Sequence, residues 1–79
     1  MAKGRVDTVV HTKERIYVME FKLDASADSA LAQIRDKRYG DRFLNRGKEV
    51  IALGVSFSSK DKAVAEWRAE SYAFLLLEN

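Results

Sequence analysis

Two opposite charges, Glu20 and Lys22, stand two residues apart in the otherwise apolar run from Arg15 to Leu23. Alternation puts Ile16, Val18, Glu20 and Lys22 on one face of a strand and Tyr17, Met19, Phe21 and Leu23 on the other. An ion on a buried strand face costs several kcal/mol unless it is paired or bound to a metal. A second carboxylate lies close in sequence. The segment Arg5 to His11 alternates Val6, Thr8 and Val10 against Asp7 and Val9, and Thr12-Lys13-Glu14 is short and polar enough for a hairpin turn. Antiparallel pairing of the two strands then brings Asp7 opposite the Glu20 to Lys22 stretch. Two converging carboxylates repel each other, and a divalent cation relieves that repulsion. Oxygen ligands favour a hard ion, Mg²⁺ or Mn²⁺. Such an ion polarises a phosphate oxygen and acidifies a bound water, while Lys22 orients or deprotonates that water or stabilises charge on the phosphate. Spacing alone equally allows a plain Glu20–Lys22 ion pair on the polar face of an edge strand.

The elements that must position these groups are legible from the change of period. Asp24 to Asp28 is polar and small, with Ser26 as N-cap of a helix beginning near Ala27. Ala27, Ala30, Leu31 and Ile34 recur at helical spacing, Tyr39 and Phe43 extend the pattern with a kink expected at Gly40, and Asn45-Arg46-Gly47 supplies a left-handed stop. Glu49 to Phe57 reads as a buried strand and Ser58 to Lys62 as a turn. From Ala63 to Leu75 the sequence alternates Val64, Glu66, Arg68, Glu70 and Tyr72 against Ala65, Trp67, Ala69, Ser71 and Ala73. A strand is preferred there, the frequent alanines leaving a helix as the alternative. The resulting order, β-β-α-β-β, defines an α/β domain over residues 1–79. It has a mixed β-sheet and one main crossover helix, with the strands flanking that helix parallel and connected right-handedly.

Bulk properties narrow the partners. Net charge is only +2, but six basic and two acidic residues between Arg35 and Lys48 make that segment locally +4, with Tyr39 and Phe43 among the charges. Such a face can contact phosphates through Arg35, Arg38 and Arg42 beside Tyr39; a merely solvated face has the same pattern. The absence of cysteine excludes disulfides and thiolate zinc sites. No apolar run approaches a membrane span and no basic-then-apolar leader opens the sequence, so a cytoplasmic protein is expected. A chain this short has little core, and oligomerisation is the expected further source of buried area. His11 and the serines at positions 56, 58 and 59 are read as capping, solvated or turn residues.

Taken in order, Gly4-Arg5-Val6-Asp7, Met19-Glu20-Phe21-Lys22-Leu23, Ala32-Gln33-Ile34 and Tyr39 resemble the PD-(D/E)XK nuclease superfamily. Within it they are similar to the small domain at the C-terminal end of bacterial proteins that carry an AAA-type ATPase-like module. The resemblance implies that Asp7 and Glu20 bind metal, that the backbone carbonyl of Phe21 adds a third ligand and that Lys22 is the catalytic lysine. It places Gln33 on the following helix, facing the active centre, and matches Tyr39 to a family position without assigning its role. Arg5 would contact substrate phosphate or cap its strand. The implied activity is Mg²⁺- or Mn²⁺-dependent hydrolysis of DNA phosphodiester bonds with little sequence specificity. The sequence has Val6 where the family name has proline, and it starts just before the Asp-bearing strand, where the family core normally has a helix and another strand. The expectation is a minimal restriction-endonuclease-like core lacking its leading helix, with a homodimer or higher homo-oligomer completing it. Trp67, Tyr72 and Phe74-Leu75-Leu76-Leu77 are candidate dimer contacts or core. The competing function is a non-catalytic nuclease-like module for oligomerisation or partner binding.

Overall fold

The longest alternation in the sequence becomes a central strand. A computed structural model describes residues 7–78, and in it β2 spans Arg15–Leu23 with Ile16, Val18 and Glu20 buried on one face. The strand β1, Thr8–His11, pairs antiparallel with β2 on one side. On the other side β3, Glu49–Ser58, runs parallel to β2 from Arg15 opposite Glu49 to Leu23 opposite Phe57. The fourth strand, β4 (Ala63–Ser71), returns antiparallel to β3, giving a mixed sheet of order β1-β2-β3-β4. The parallel pair is joined by the helix α1, Ala27–Asp36. This is the expected α/β architecture, compatible with a small PD-(D/E)XK-like core. No helix among the described residues is long and apolar enough to cross a membrane.

Local chemistry sets the start of α1. The Ser26 side chain accepts the amide of Ser29 at 3.0 Å, and the Ala27 amide donates to the Glu66 carboxylate of β4 at 2.6 Å. Both satisfy amides that a helix N-terminus leaves unpaired. The helix buries Ala27, Ala30, Leu31 and Ile34 against the sheet. Its small side chains meet a small position below. A Cβ on Gly54 of β3 would lie 2.6 Å from the Ala27 carbonyl oxygen and 2.9 Å from the Ala30 Cβ. Glycine therefore lets the helix backbone approach the sheet closely.

The structure departs from the sequence reading in five places. The main helix stops at Asp36 instead of continuing through Phe43, because Arg38 takes a left-handed φ of 57°. Tyr39 and Phe43 consequently enter the core from a turn and a short 3₁₀ segment, Asp41–Phe43. Gly40 is no kink: its missing Cβ makes room for the Tyr72 ring, which would stand 2.8 Å from it. Gly47 is left-handed at φ 78°, but in the loop before β3 rather than as the cap of α1. At the other end, β4 stops at Ser71 instead of Leu75, and the chain turns into a four-residue helix α2, Tyr72–Leu75. Burial drives that turn. Tyr72 and Leu75 are fully buried, and the Tyr72 hydroxyl donates to Asp41 at 2.5 Å. Both are therefore core residues and not dimer contacts. A register shift between Ser56 and Phe57 also moves Val64 onto the Trp67 face, opposite Phe57, away from Glu66.

Because the atoms nearest the absent Gly54 Cβ are backbone and a helix methyl, they have little freedom to yield. Gly54→Ala is expected to destabilise the domain by about 1–3 kcal/mol through overpacking, read as a lower urea midpoint with unchanged slope. An unshifted midpoint would show that the helix does not press on the sheet at this position.

Candidate active site

The antiparallel register that pairs Thr8 with Met19 brings Asp7, one residue earlier, beside the Glu20 to Phe21 stretch. Asp7 is anchored there: its Oδ2 accepts the Phe21 amide at 2.9 Å. The two carboxylates thus approach from adjacent segments on the sheet face that carries α1. Glu20 is the deeper. It is 5% exposed, a rare state for a glutamate. Its Oε2 accepts the Gln33 amide Nε2 at 2.8 Å, while its Oε1 meets no hydrogen-bond partner among the described residues. Burial, and next the charge of Asp7, push the Glu20 carboxyl above the usual glutamate range, with Lys22 and the Asp7 amide pulling the other way.

Gln33 is the bridge of the site. It projects from α1 over the C-terminal half of β2, where its Oε1 accepts from the Lys22 ammonium and its Nε2 donates to Glu20. The same Nε2 lies 3.3 Å from the Tyr39 hydroxyl. An amide suits this place: its oxygen meets the cation and its nitrogen meets the carboxylate. The helix earns that contact by lying close to the sheet, and Gly54, paired in register with Glu20, is what allows it. Phe21 contributes backbone only. Its ring points to the opposite sheet face, 5.9 Å from that of Phe57.

The remaining sequence candidates divide. Tyr39 is 7% exposed and joins the Gln33 network, so its side chain faces the site from within. Arg35 pairs with Asp36 at 2.9 Å and approaches Glu78 at 3.9 Å. Arg38 pairs with Asp41 at 2.9 Å, and Arg42 covers the Phe43 ring at 5.2 Å. The basic segment is not one helical face, because α1 ends before most of it. Arg5 lies outside the described residues. His11 packs edge-on against Phe43 with ring centres 5.7 Å apart. Gly54 was missed by the sequence reading, although a glycine inside a buried strand is a usable sign of close backbone approach. Among the described residues no group of three or more acidic, histidine or cysteine side chains converges. The donor set is two carboxylates with backbone, a lysine and a glutamine beside them.

A parallel pair crossed by one helix, with Glu20 and Lys22 on the helix-covered face of β2 and Asp7 beside them from the segment before β1, is compatible with a small nuclease-like α/β core. The comparison with protein families agrees, since residues 1–67 match the family model described as PD-(D/E)XK nuclease superfamily. The chain belongs to that superfamily. It is also 37% identical over 70 residues to a protein of Azotobacter chroococcum mcd 1 described as an uncharacterized protein in the vnfD 5′ region. That match covers 86% of this chain but only 14% of the relative. No solved structure matches.

The raised Glu20 carboxyl has a sign that can be checked in metal-free protein. The folded state holds the proton more tightly than the unfolded chain, so stability is complete below the unfolded glutamate value and declines as pH rises through the folded one. In chelator, Glu20→Gln is expected to flatten that decline and to be the more stable protein at neutral pH. Urea unfolding across pH reads both. A wild-type slope that persists unchanged in the variant would assign the decline elsewhere.

Proposed function

We propose that this domain is a divalent-metal-dependent nuclease hydrolysing DNA phosphodiester bonds, with residues 1–79 acting as one catalytic domain. The observation that carries the reading is the buried, half-unpaired Glu20 carboxylate next to Asp7, with Lys22 two positions along the same strand face. An orphaned anionic oxygen facing a second carboxylate fits a hard cation, and oxygen donors favour Mg²⁺ or Mn²⁺. Asp7 and Glu20 would hold it with the Phe21 carbonyl as third ligand. When bound, such an ion supplies Lewis-acid polarisation of the phosphate and a water acidified toward neutrality.

The chain's own groups do the rest. Gln33 fixes Glu20 and Lys22 relative to each other, and the Phe21 amide holds Asp7 in place. The Lys22 ammonium then lies where it can orient the attacking water or offset charge gathering on the phosphate. Tyr39 steadies the Gln33 amide from behind. The segment carrying Arg35, Arg38 and Arg42 keeps a net positive charge that would attract phosphates once its ion pairs exchange, Arg5 is a further expected phosphate contact, and weak sequence preference would follow from contacts made to backbone phosphates. Family membership supports nuclease chemistry at this level; a place at the C-terminal end of a longer bacterial protein with an AAA-type ATPase-like module rests on the sequence resemblance alone.

Supercoiled plasmid with Mg²⁺ or Mn²⁺ is expected to be cut by the wild-type protein, and Asp7→Ala, Glu20→Ala and Lys22→Ala each to lose about 10²-fold or more of that rate. Ca²⁺ titration by calorimetry should give heat with wild type and none with Asp7→Ala or Glu20→Ala. Folded protein that neither binds the ion nor cuts DNA would instead be a nuclease-like binding module.

A further inference from the structure

The turn that follows α1 is built around a residue that rarely takes its shape. The helix ends in the two hydrogen bonds of a left-handed stop. The Arg38 amide donates to the Arg35 carbonyl at 3.2 Å, and the Tyr39 amide donates to the Ile34 carbonyl at 3.1 Å. Glycine usually fills the left-handed place, yet Arg38 holds it at φ 57°. Its side chain supplies what glycine lacks. The Arg38 Nε donates to both carboxylate oxygens of Asp41, at 2.9 and 3.0 Å. A surface ion pair of this kind holds little by itself, and both of these side chains are largely exposed. Asp41 has a second partner, and that one is buried. The Tyr72 hydroxyl donates to its Oδ1 at 2.5 Å from a side chain with no exposure. The Tyr72 ring also lies against Gly40, where a Cβ would stand 2.8 Å away. Tyr72 therefore grips the turn at both Gly40 and Asp41. The residue just before them is Tyr39, whose hydroxyl lies 3.3 Å from the Gln33 Nε2.

We propose that Tyr72 is a positioning residue of the candidate active site, holding the Tyr39 hydroxyl against Gln33 through the turn at 38–41. Packing alone does not need the Tyr72 hydroxyl, because a phenylalanine ring fills the same space. Burial, and next the bond to Asp41, push that hydroxyl up to about 12, so it stays a donor at every working pH. The Asp41 carboxyl is held below its usual range by Arg38 first and Tyr72 second, so the bond is made to an anion and is charge-assisted. At the far end, the Gln33 amide has one arrangement that suits all its neighbours. Its Nε2 carries two hydrogens, one for Glu20 and one for the Tyr39 hydroxyl, which leaves Oε1 for Lys22. A Tyr39 hydroxyl that drifts away removes one of the contacts setting this orientation, and Glu20 and Lys22 lose their common reference. α2 thus acts on the acidic cluster without touching it. The catalytic consequence rests on the nuclease reading above; the mechanical link does not.

Tyr72→Phe keeps the ring and removes only the hydroxyl. In metal-free protein it is expected to move the Gln33 side-chain amide signals in proton–nitrogen NMR spectra toward their positions in Tyr39→Phe. Plasmid cleavage in Mg²⁺ should then fall about tenfold in kcat with KM for DNA unchanged. In a Tyr39→Phe background the same substitution should cost kcat nothing further, because both act through one contact, while its effect on the urea midpoint persists. Asp41→Ala, made at the partly exposed end of the bond, is expected to reproduce the amide shift and the kcat loss, and it serves where Tyr72→Phe does not fold. Gln33 signals that stay in place in the folded variants overturn the proposal. A kcat loss that is undiminished in the Tyr39→Phe background overturns it too, since plain structural damage adds in either background. Shifted Gln33 signals beside a wild-type protein that cuts no DNA sustain the link and sink the nuclease reading alone.

Discussion

The Glu20 carboxylate is buried with one oxygen unpaired among the described residues, and most of the site's construction serves to tolerate it. An unsatisfied charged oxygen in a protein interior is among the costlier features a small domain can carry. Three contacts moderate it: the Gln33 amide, the Lys22 charge two residues along, and the antiparallel segment that also delivers Asp7. Asp7 itself aggravates the problem, since its charge opposes ionisation of Glu20. Folding alone gives no reason to gather two carboxylates so. A cation does.

Gln33 can reach Glu20 only if α1 lies close to the sheet, and that distance is set at Gly54. Ala27 and Ala30 above and glycine below let backbone approach backbone, and the register puts Gly54 directly beside Glu20. Packing and chemistry are thus joined at one position. A side chain on β3 there would lift the helix and draw Gln33 away from both of its charged partners. Glu66 reinforces the arrangement from β4 by accepting the first amide of the helix, so three strands and one helix converge on the placement of a single glutamine.

Much of this was legible in the sequence, for physical reasons. Period two put Glu20 and Lys22 on one face of β2 but left open whether that face was buried or the polar face of an edge strand; packing of α1 decides it. The hairpin pairing of Asp7 followed from a short link. What could not be read were features decided by tertiary contact. The end of α1 depends on Arg38 adopting a left-handed conformation so that Tyr39 and Phe43 turn inward, whereas their spacing equally suits a continued helix. The end of β4 depends on Tyr72 finding Asp41 and a space above Gly40, which alternation past Ser71 does not reveal. The register shift that moves Val64 to the apolar face leaves no mark in residue types.

The two faces of the sheet share one deficit. The helix-covered face closes over a charged cluster that is not internally satisfied, and the opposite face leaves aromatic and branched side chains in water. A larger domain absorbs such defects in its core, but a short chain has little margin. The proposed divalent cation would relieve the first of these. Glu20 and Lys22 both lie on the α1 side of the sheet, so whatever meets the opposite face leaves the acidic cluster untouched.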